Sequence, residues 1–253
     1  MGIPYFSLEG QVAIVTGGGT GIGRSIALEF AKAGADVVVG SRKLVNLEKV
    51  AEEVRALGKR SLAVPVDITK KTEVDSLVQR AMDEFGSIDI LVNNAGTIVR
   101  ASLLEHSEQD WDRVIDTNLK GYYLCSQAVG RRMVEQKKGN IINVASVRAI
   151  TAAPGRASYC VSKAGVPMLT RVLALELVDY NIRVNAIAPG WVKTELNELL
   201  WGDPETYKQI TALIPMGRWA ERSEIARVAL FLASDASSYM TGHTIVVDGG
   251  LIA

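Results

Sequence analysis

VAIVTGGGTGIG, residues 12–23, decides the reading of this chain. An apolar, β-branched run ends at Thr16, and three glycines lead into an amphipathic stretch. Continuous apolarity is expected of a strand buried on both faces of a parallel sheet. Glycines at the turn let backbone N–H groups approach a pyrophosphate at a helix N-terminus. The literal G-x-G-x-x-G spacing fails, because the sixth position counted from Gly17 is Ile22. The pattern T-G-x-x-x-G-x-G fits, with Thr16, Gly17, Gly21 and Gly23. The stretch predicts a dinucleotide site at Gly17, Gly19, Thr20, Gly21, Ile22 and Gly23.

The same rhythm continues to the end of the chain. Apolar runs recur at 36–41, 62–67, 89–95, 140–146, 183–189 and 244–250. Helical patterns fall between them near 21–33, 43–57, 70–85, 107–137, 157–178 and 222–234. Gly34, Gly58, Gly86 and Gly139 stand where left-handed C-caps are expected. Repeated βα units with right-handed crossovers give an α/β fold. The expectation is a doubly wound, seven-stranded parallel sheet with helices on both faces, in one domain over 1–253. Only 190–221 breaks the rhythm. Its Trp191, Leu196, Leu199, Leu200, Trp201, Tyr207 and Trp219 make it an irregular insertion, read as a substrate lid.

Composition narrows the function. Among 253 residues, Lys+Arg and Asp+Glu are both 28, and no basic run marks a polyanion partner. Cys125, Cys160, His106 and His243 do not stand at metal-ligand spacing, so no metal is expected. Two cysteines read as small fillers in a reducing compartment. MGIPYFSLEG lacks the regions of a signal peptide, and Phe6 replaces the Ser or Thr of a myristoylation signal. No apolar run reaches the ~20 residues of a membrane span. A cytoplasmic protein is the expectation.

The second strand indicates which dinucleotide binds. An NAD site usually ends this strand with a carboxylate for the ribose 2′-OH. Here the chain reads Gly40-Ser41-Arg42-Lys43. Ser41 and the planar fork of Arg42 suit a 2′-phosphate, so NADP(H) is preferred and NAD(H) is the alternative.

Chemistry enters with Tyr159 and Lys163. On a helix over 157–178, positions i and i+4 share a face. A neighbouring cation favours phenolate over phenol, whose ordinary pKa is about 10. Such a pair can give and take a proton. Ser146 and Asn118 lie upstream. Cys160 points away from this face as packing, and Asn93 and Asn140 read as strand-edge groups with local hydrogen bonds.

With these residues together the chain resembles the short-chain dehydrogenase/reductase family. The resemblance rests on TGGGTGIG (16–23), Asp67, NNAG (93–96), Asn118, Ser146, YCVSK (159–163), Pro189-Gly190 with Thr194, and VDGG (247–250). It implies a Rossmann-type sheet, hydride transfer between a nicotinamide and a carbonyl or secondary alcohol, and a homotetramer. By the same resemblance Asp67 and Ile68 would flank the adenine, and Asn94, Ala95 and Gly96 would support the adenosine ribose side. Pro189, Gly190, Val192 and Thr194 would hold the nicotinamide end. Tyr159 would be the general acid or base and Ser146 would orient the substrate oxygen. Lys163 would bond the ribose and lower the Tyr159 pKa, and Asn118 would help relay protons.

The substrate is open at this point. Arg100, Arg148 and Arg156 fall where a carboxylate or phosphate could be met, and an Arg soon after NNAG is similar to enzymes acting on sugar acids such as gluconate. The apolar 190–221 segment favours a hydrophobic ketone or a 3-oxoacyl thioester. A reductase of unassigned small carbonyls or polyols, a 3-oxoacyl-thioester reductase and a non-catalytic nucleotide-binding regulator are the three readings.

Overall fold

The central apolar runs become strands because both of their faces meet a helix layer, whereas the edge strand Thr244–Val247 is only partly buried. The computed structural model describes residues 4–253, so the first three residues of the N-terminal stretch lie outside it. The strands are β1 (Val12–Thr16), β2 (Asp36–Ser41), β3 (Ser61–Pro65), β4 (Ile90–Asn93), β5 (Gly139–Val144), β6 (Ile182–Pro189) and β7 (Thr244–Val247). They form one parallel sheet in the order β3-β2-β1-β4-β5-β6-β7. The order reverses direction between β1 and β4, which opens a crevice at the carboxyl ends of these strands.

The two faces carry different helices. Ala13 and Val15 of β1 pack with α1 (Gly21–Lys32), α2 (Leu44–Ala56) and the late helix Arg222–Ala233. Ile14 packs the other way, with α3 (Lys71–Phe85), the helix Gly121–Gln136 and the helix Ala157–Leu177. Val37 and Val39 follow Ala13, and Val38 follows Ile14. Each such valine or isoleucine contributes roughly 1.5–3 kcal/mol by leaving water. The expected doubly wound sheet is present as a single unit.

Four expectations need correction. Gly34, Gly58 and Gly86 have positive φ, but Gly139 does not; it is the first residue of β5, and Lys137 takes the left-handed cap at φ 53°. The 107–137 helix is divided into α4 (Glu108–Ile115), a π turn (Asp116–Lys120) and α5 (Gly121–Gln136). Asn93 and Asn140 bond across the fold rather than locally. Asn93 donates to Ser126 and Asn143, and Asn140 donates to the carbonyls of Leu232 and Ala233. The 190–221 segment is not irregular throughout: after α6 (Ala157–Leu177) it forms α7 (Glu198–Trp201) and α8 (Pro204–Thr211), before α9 (Arg222–Ala233). Among the described residues, no helix is long and apolar enough to cross a membrane.

Candidate active site

A cleft of about 580 Å³ opens above the β1–β4 switch point. Its near wall is the glycine loop. Gly17 has φ 64°, and a Cβ there would stand 2.8 Å from the Ala95 Cα, so only glycine lets this turn lie on the NNAG segment. A Cβ on Gly23 would meet the Gly17 carbonyl and the Asn94 amide, which in turn bonds to the Thr16 and Gly17 carbonyls. Helix α1 carries no acidic residue in its first turn, and Thr20 makes no side-chain cap, so its N-terminal N–H groups remain open to an anion.

Gly17, Gly19, Thr20, Gly21 and Ile22 line the cleft; Gly23 is buried beneath it. Ser41 and Arg42 line it at the end of β2, and Arg42 makes no ion pair among the described residues. Asp67 and Ile68 face it beyond β3. Burial opposes the Asp67 charge, but the Thr69 amide and hydroxyl and the nearby Arg42 hold its carboxyl below the usual range. Asn94, Ala95, Gly96, Pro189, Gly190, Val192 and Thr194 complete the lining. A glycine cradle, a free helix end and a free guanidinium fit a phosphorylated dinucleotide.

At the far end of the cleft stand Ser146, Tyr159 and Lys163. Tyr159 is half-buried and opens on the cleft. Burial raises its phenol above the ordinary value, while a hydrogen bond with Ser146 and the charges of Arg156 and Arg148 pull it back. Lys163 is buried, and burial pushes its ammonium down to about 7. Its Nζ donates to the Val144 carbonyl at 2.6 Å, not to Tyr159. No direct bond joins the ammonium to the phenol here, and Ser146 and the two arginines offset part of the effect of burial on Tyr159.

Asn118 stands behind the cleft wall rather than on it. The π turn rotates it inward until it is fully buried, outside the cleft wall. Its Oδ1 accepts from the Thr97 amide (2.8 Å), and its Nδ2 donates to the Thr97 carbonyl and to Ser162 Oγ. Ser162 donates onward to the Tyr159 carbonyl. Asn118 thus ties the NNAG loop to the helix that carries Tyr159.

A side cavity of about 50 Å³ adjoins Ser146 and Tyr159, and here Arg100, Arg148 and Arg156 converge with Trp191, Leu196 and Asn197. Arg148 donates to Thr151 and to the Ala152 carbonyl, and Arg100 to Asn197. Arg156 lies 5.3 Å over the Trp191 ring and has no hydrogen-bond or ion-pair partner for its guanidinium among the described residues. Burial, and then repulsion from Arg148 and Arg100, lowers its pKa. Trp191 stacks on buried Trp219, which stacks on Tyr207. Sequence reasoning placed Trp191 in the lid segment without singling it out for this wall, did not name Asn197, and missed Tyr122, whose hydroxyl lies beside Lys163. Only the four-residue spacing of Tyr122 from Asn118 hinted at a shared helix face.

This fold and site define a class: nucleotide-binding α/β proteins with a Ser–Tyr–Lys group at the end of the cleft. A family model described as enoyl-(acyl carrier protein) reductase matches residues 17–252. The chain is 45% identical over 249 residues to 2-dehydro-3-deoxy-D-gluconate 5-dehydrogenase of Escherichia coli, covering 98% of each chain. It is 43% identical over 247 residues to the 3-oxoacyl-(acyl-carrier-protein) reductase of Thermotoga maritima, covering 97% of this chain and 99% of that one. A gluconate 5-dehydrogenase from Burkholderia cenocepacia, solved with NADP and tartrate, superposes with a TM-score of 0.94 at 37% identity, covering 98% of this chain and 97% of its own. The chain belongs to the short-chain dehydrogenase/reductase family.

Proposed function

We propose that the protein is an NADP(H)-dependent oxidoreductase that interconverts a ketone and a secondary alcohol on a small polyhydroxylated carboxylate. One observation carries the substrate class: three guanidinium groups meet beside Tyr159, and among the described residues no carboxylate neutralises any of them. A half-buried cation with unused donors is costly until an anion arrives. The E. coli relative acts, by its name, on a keto sugar acid, and the Burkholderia structure holds tartrate, which support the same reading.

The residue roles follow. Gly17, Gly19, Thr20, Gly21, Ile22 and Gly23 would hold the pyrophosphate, with Ser41 and Arg42 on the 2′-phosphate. Asp67 and Ile68 would flank the adenine, and Asn94 to Gly96 the ribose side. Pro189, Gly190, Val192 and Thr194 would hold the nicotinamide. When bound, the nicotinamide supplies or accepts the hydride. Ser146 orients the substrate oxygen, and Tyr159 gives that oxygen its proton in reduction or removes it in oxidation. Lys163 supports the charge on Tyr159, and Asn118 holds the backbone that places both. The 190–221 segment acts as a lid, with Leu196 and Asn197 on the cleft.

A second reading, a 3-oxoacyl-thioester reductase, is favoured by the exposed Leu199, which would suit an acyl chain. NADPH consumption with 5-keto-D-gluconate, an uncharged ketose and a 3-oxoacyl thioester separates the two. The first reading expects a KM for the keto acid about tenfold or more below that of the uncharged ketose. Preference for the thioester would establish the second.

Assembly and location belong to the same proposal. α6 exposes Val161, Met168, Val172 and Leu175, and α5 exposes Tyr123, which supports a homotetramer built through these helices. Two free thiols, Cys125 and Cys160, agree with the cytoplasm.

A further inference from the structure

Tyr122 is fully buried in the first turn of α5, directly after the π turn that carries Asn118. A phenylalanine would fill the same space, so the hydroxyl needs a reason of its own. It donates to the carbonyl of Val144, the last residue of β5, at 3.1 Å. Lys163 Nζ donates to that same carbonyl and lies 3.4 Å from the Tyr122 oxygen. With its proton committed to Val144, the phenol presents only lone pairs to the ammonium.

An ammonium has three donors. Val144 and Tyr122 account for two, leaving one for the cleft that Lys163 lines. The Tyr122 phenol is the titratable group against Nζ, and the Tyr159 phenol and the Cys125 thiol lie close enough to act on Tyr122. No carboxylate pairs with Lys163 among the described residues, and burial alone works on its charge. A buried cation in such a place is sustained by whatever acceptors touch it.

We propose that Tyr122 is a positioning residue for Lys163: its hydroxyl oxygen, together with the Val144 carbonyl, fixes two N–H groups of the ammonium and keeps the amine charged, so that the third serves the cleft. The proposal rests on Tyr159 and Lys163 being the proton-transfer pair. Its consequence for turnover is a matter of sign. Without the Tyr122 oxygen the ammonium is less favoured, so Lys163 loses its proton at lower pH. A weaker cation beside Tyr159 also makes the phenolate harder to form. The pH–rate bell for alcohol oxidation therefore narrows from both sides.

The test reads Lys163 directly, in ligand-free protein. Lysine-¹⁵N-labelled protein is titrated by NMR, with the Lys163 Nζ signal assigned by its loss in Lys163→Met. Tyr122→Phe is expected to lower the titration midpoint by about half to one pH unit, roughly a three- to tenfold loss of proton affinity. An unchanged midpoint overturns the proposal. If Tyr122→Phe does not fold, 3-fluorotyrosine at position 122 keeps shape and hydroxyl while weakening the acceptor; a smaller shift in the same direction is expected, and no shift overturns the proposal. In turnover of D-gluconate with NADP⁺, a narrowed bell supports it, and a uniform drop at every pH shows a packing role only. Because the titration uses no substrate, it stands apart from the substrate class; retained activity in Tyr159→Phe would instead remove the pair on which the proposal rests.

Discussion

The cofactor side and the substrate side of the cleft are built from different materials. The first is mostly backbone: a glycine loop at the end of β1, a free helix end at α1, and the NNAG segment after β4, tied by close main-chain approach and by bonds between the Thr16 and Asn94 side chains and the backbone. The second is side chain: Arg100, Arg148, Arg156, Trp191 and Asn197, brought from three separate loops. A backbone site tolerates little variation, because an added Cβ meets peptide atoms that cannot yield. A side-chain site can change its ligand by exchanging a few residues on the same frame.

That contrast can be broken at either side. Arg42→Ala removes a charge-assisted contact from the cofactor side and is expected to weaken NADPH binding roughly 10- to 100-fold. NADH binding should barely change; equal losses for both dinucleotides would remove the 2′-phosphate assignment. Arg156→Gln acts on the other side. It should raise the KM for a keto acid about tenfold while leaving the NADPH Kd and the KM for an uncharged ketone near their wild-type values. A change in NADPH affinity of similar size would mean the two sides are not separate.

The smallest effect is on stability. Folding lowers the Lys163 pKa from 10.5 to about 7, so between these values the folded protein binds fewer protons than the unfolded chain. Stability from this group therefore rises with pH across that window, and its cost is full below pH 7. Ligand-free Lys163→Met is expected to melt several degrees higher than wild type near pH 7, roughly 2–8 °C, with the gap closing toward pH 10. A gap that does not depend on pH would mean that Lys163 is not held at this depressed value.

The same contrast explains what was legible in the sequence. Continuous apolar runs gave the parallel sheet because each strand alternates Ala13-type and Ile14-type contacts to opposite helix layers. Thr16 to Gly23 and Ser41-Arg42 were legible because local spacing alone places them, and Asn94 was legible only through the family resemblance. The inward turn of Asn118 was not, since a π turn leaves no mark in a helical periodicity. Nor was the partnership of Lys163 with Val144, because a backbone carbonyl has no residue type to read. The wall around Arg156 was legible only in part: the arginines stood out, but their shared cavity and the Trp191 stack depend on long-range packing.

The central claim is that Tyr159 is the proton-transferring group at the junction of the two sides. It is tested by measuring kcat for NADPH-dependent reduction of 5-keto-D-gluconate in wild type and Tyr159→Phe, with NADPH binding followed by fluorescence in both. The account predicts a fall in kcat of roughly 10²- to 10⁴-fold at unchanged NADPH affinity. Turnover that stays within about tenfold of wild type with the same pH dependence would contradict it.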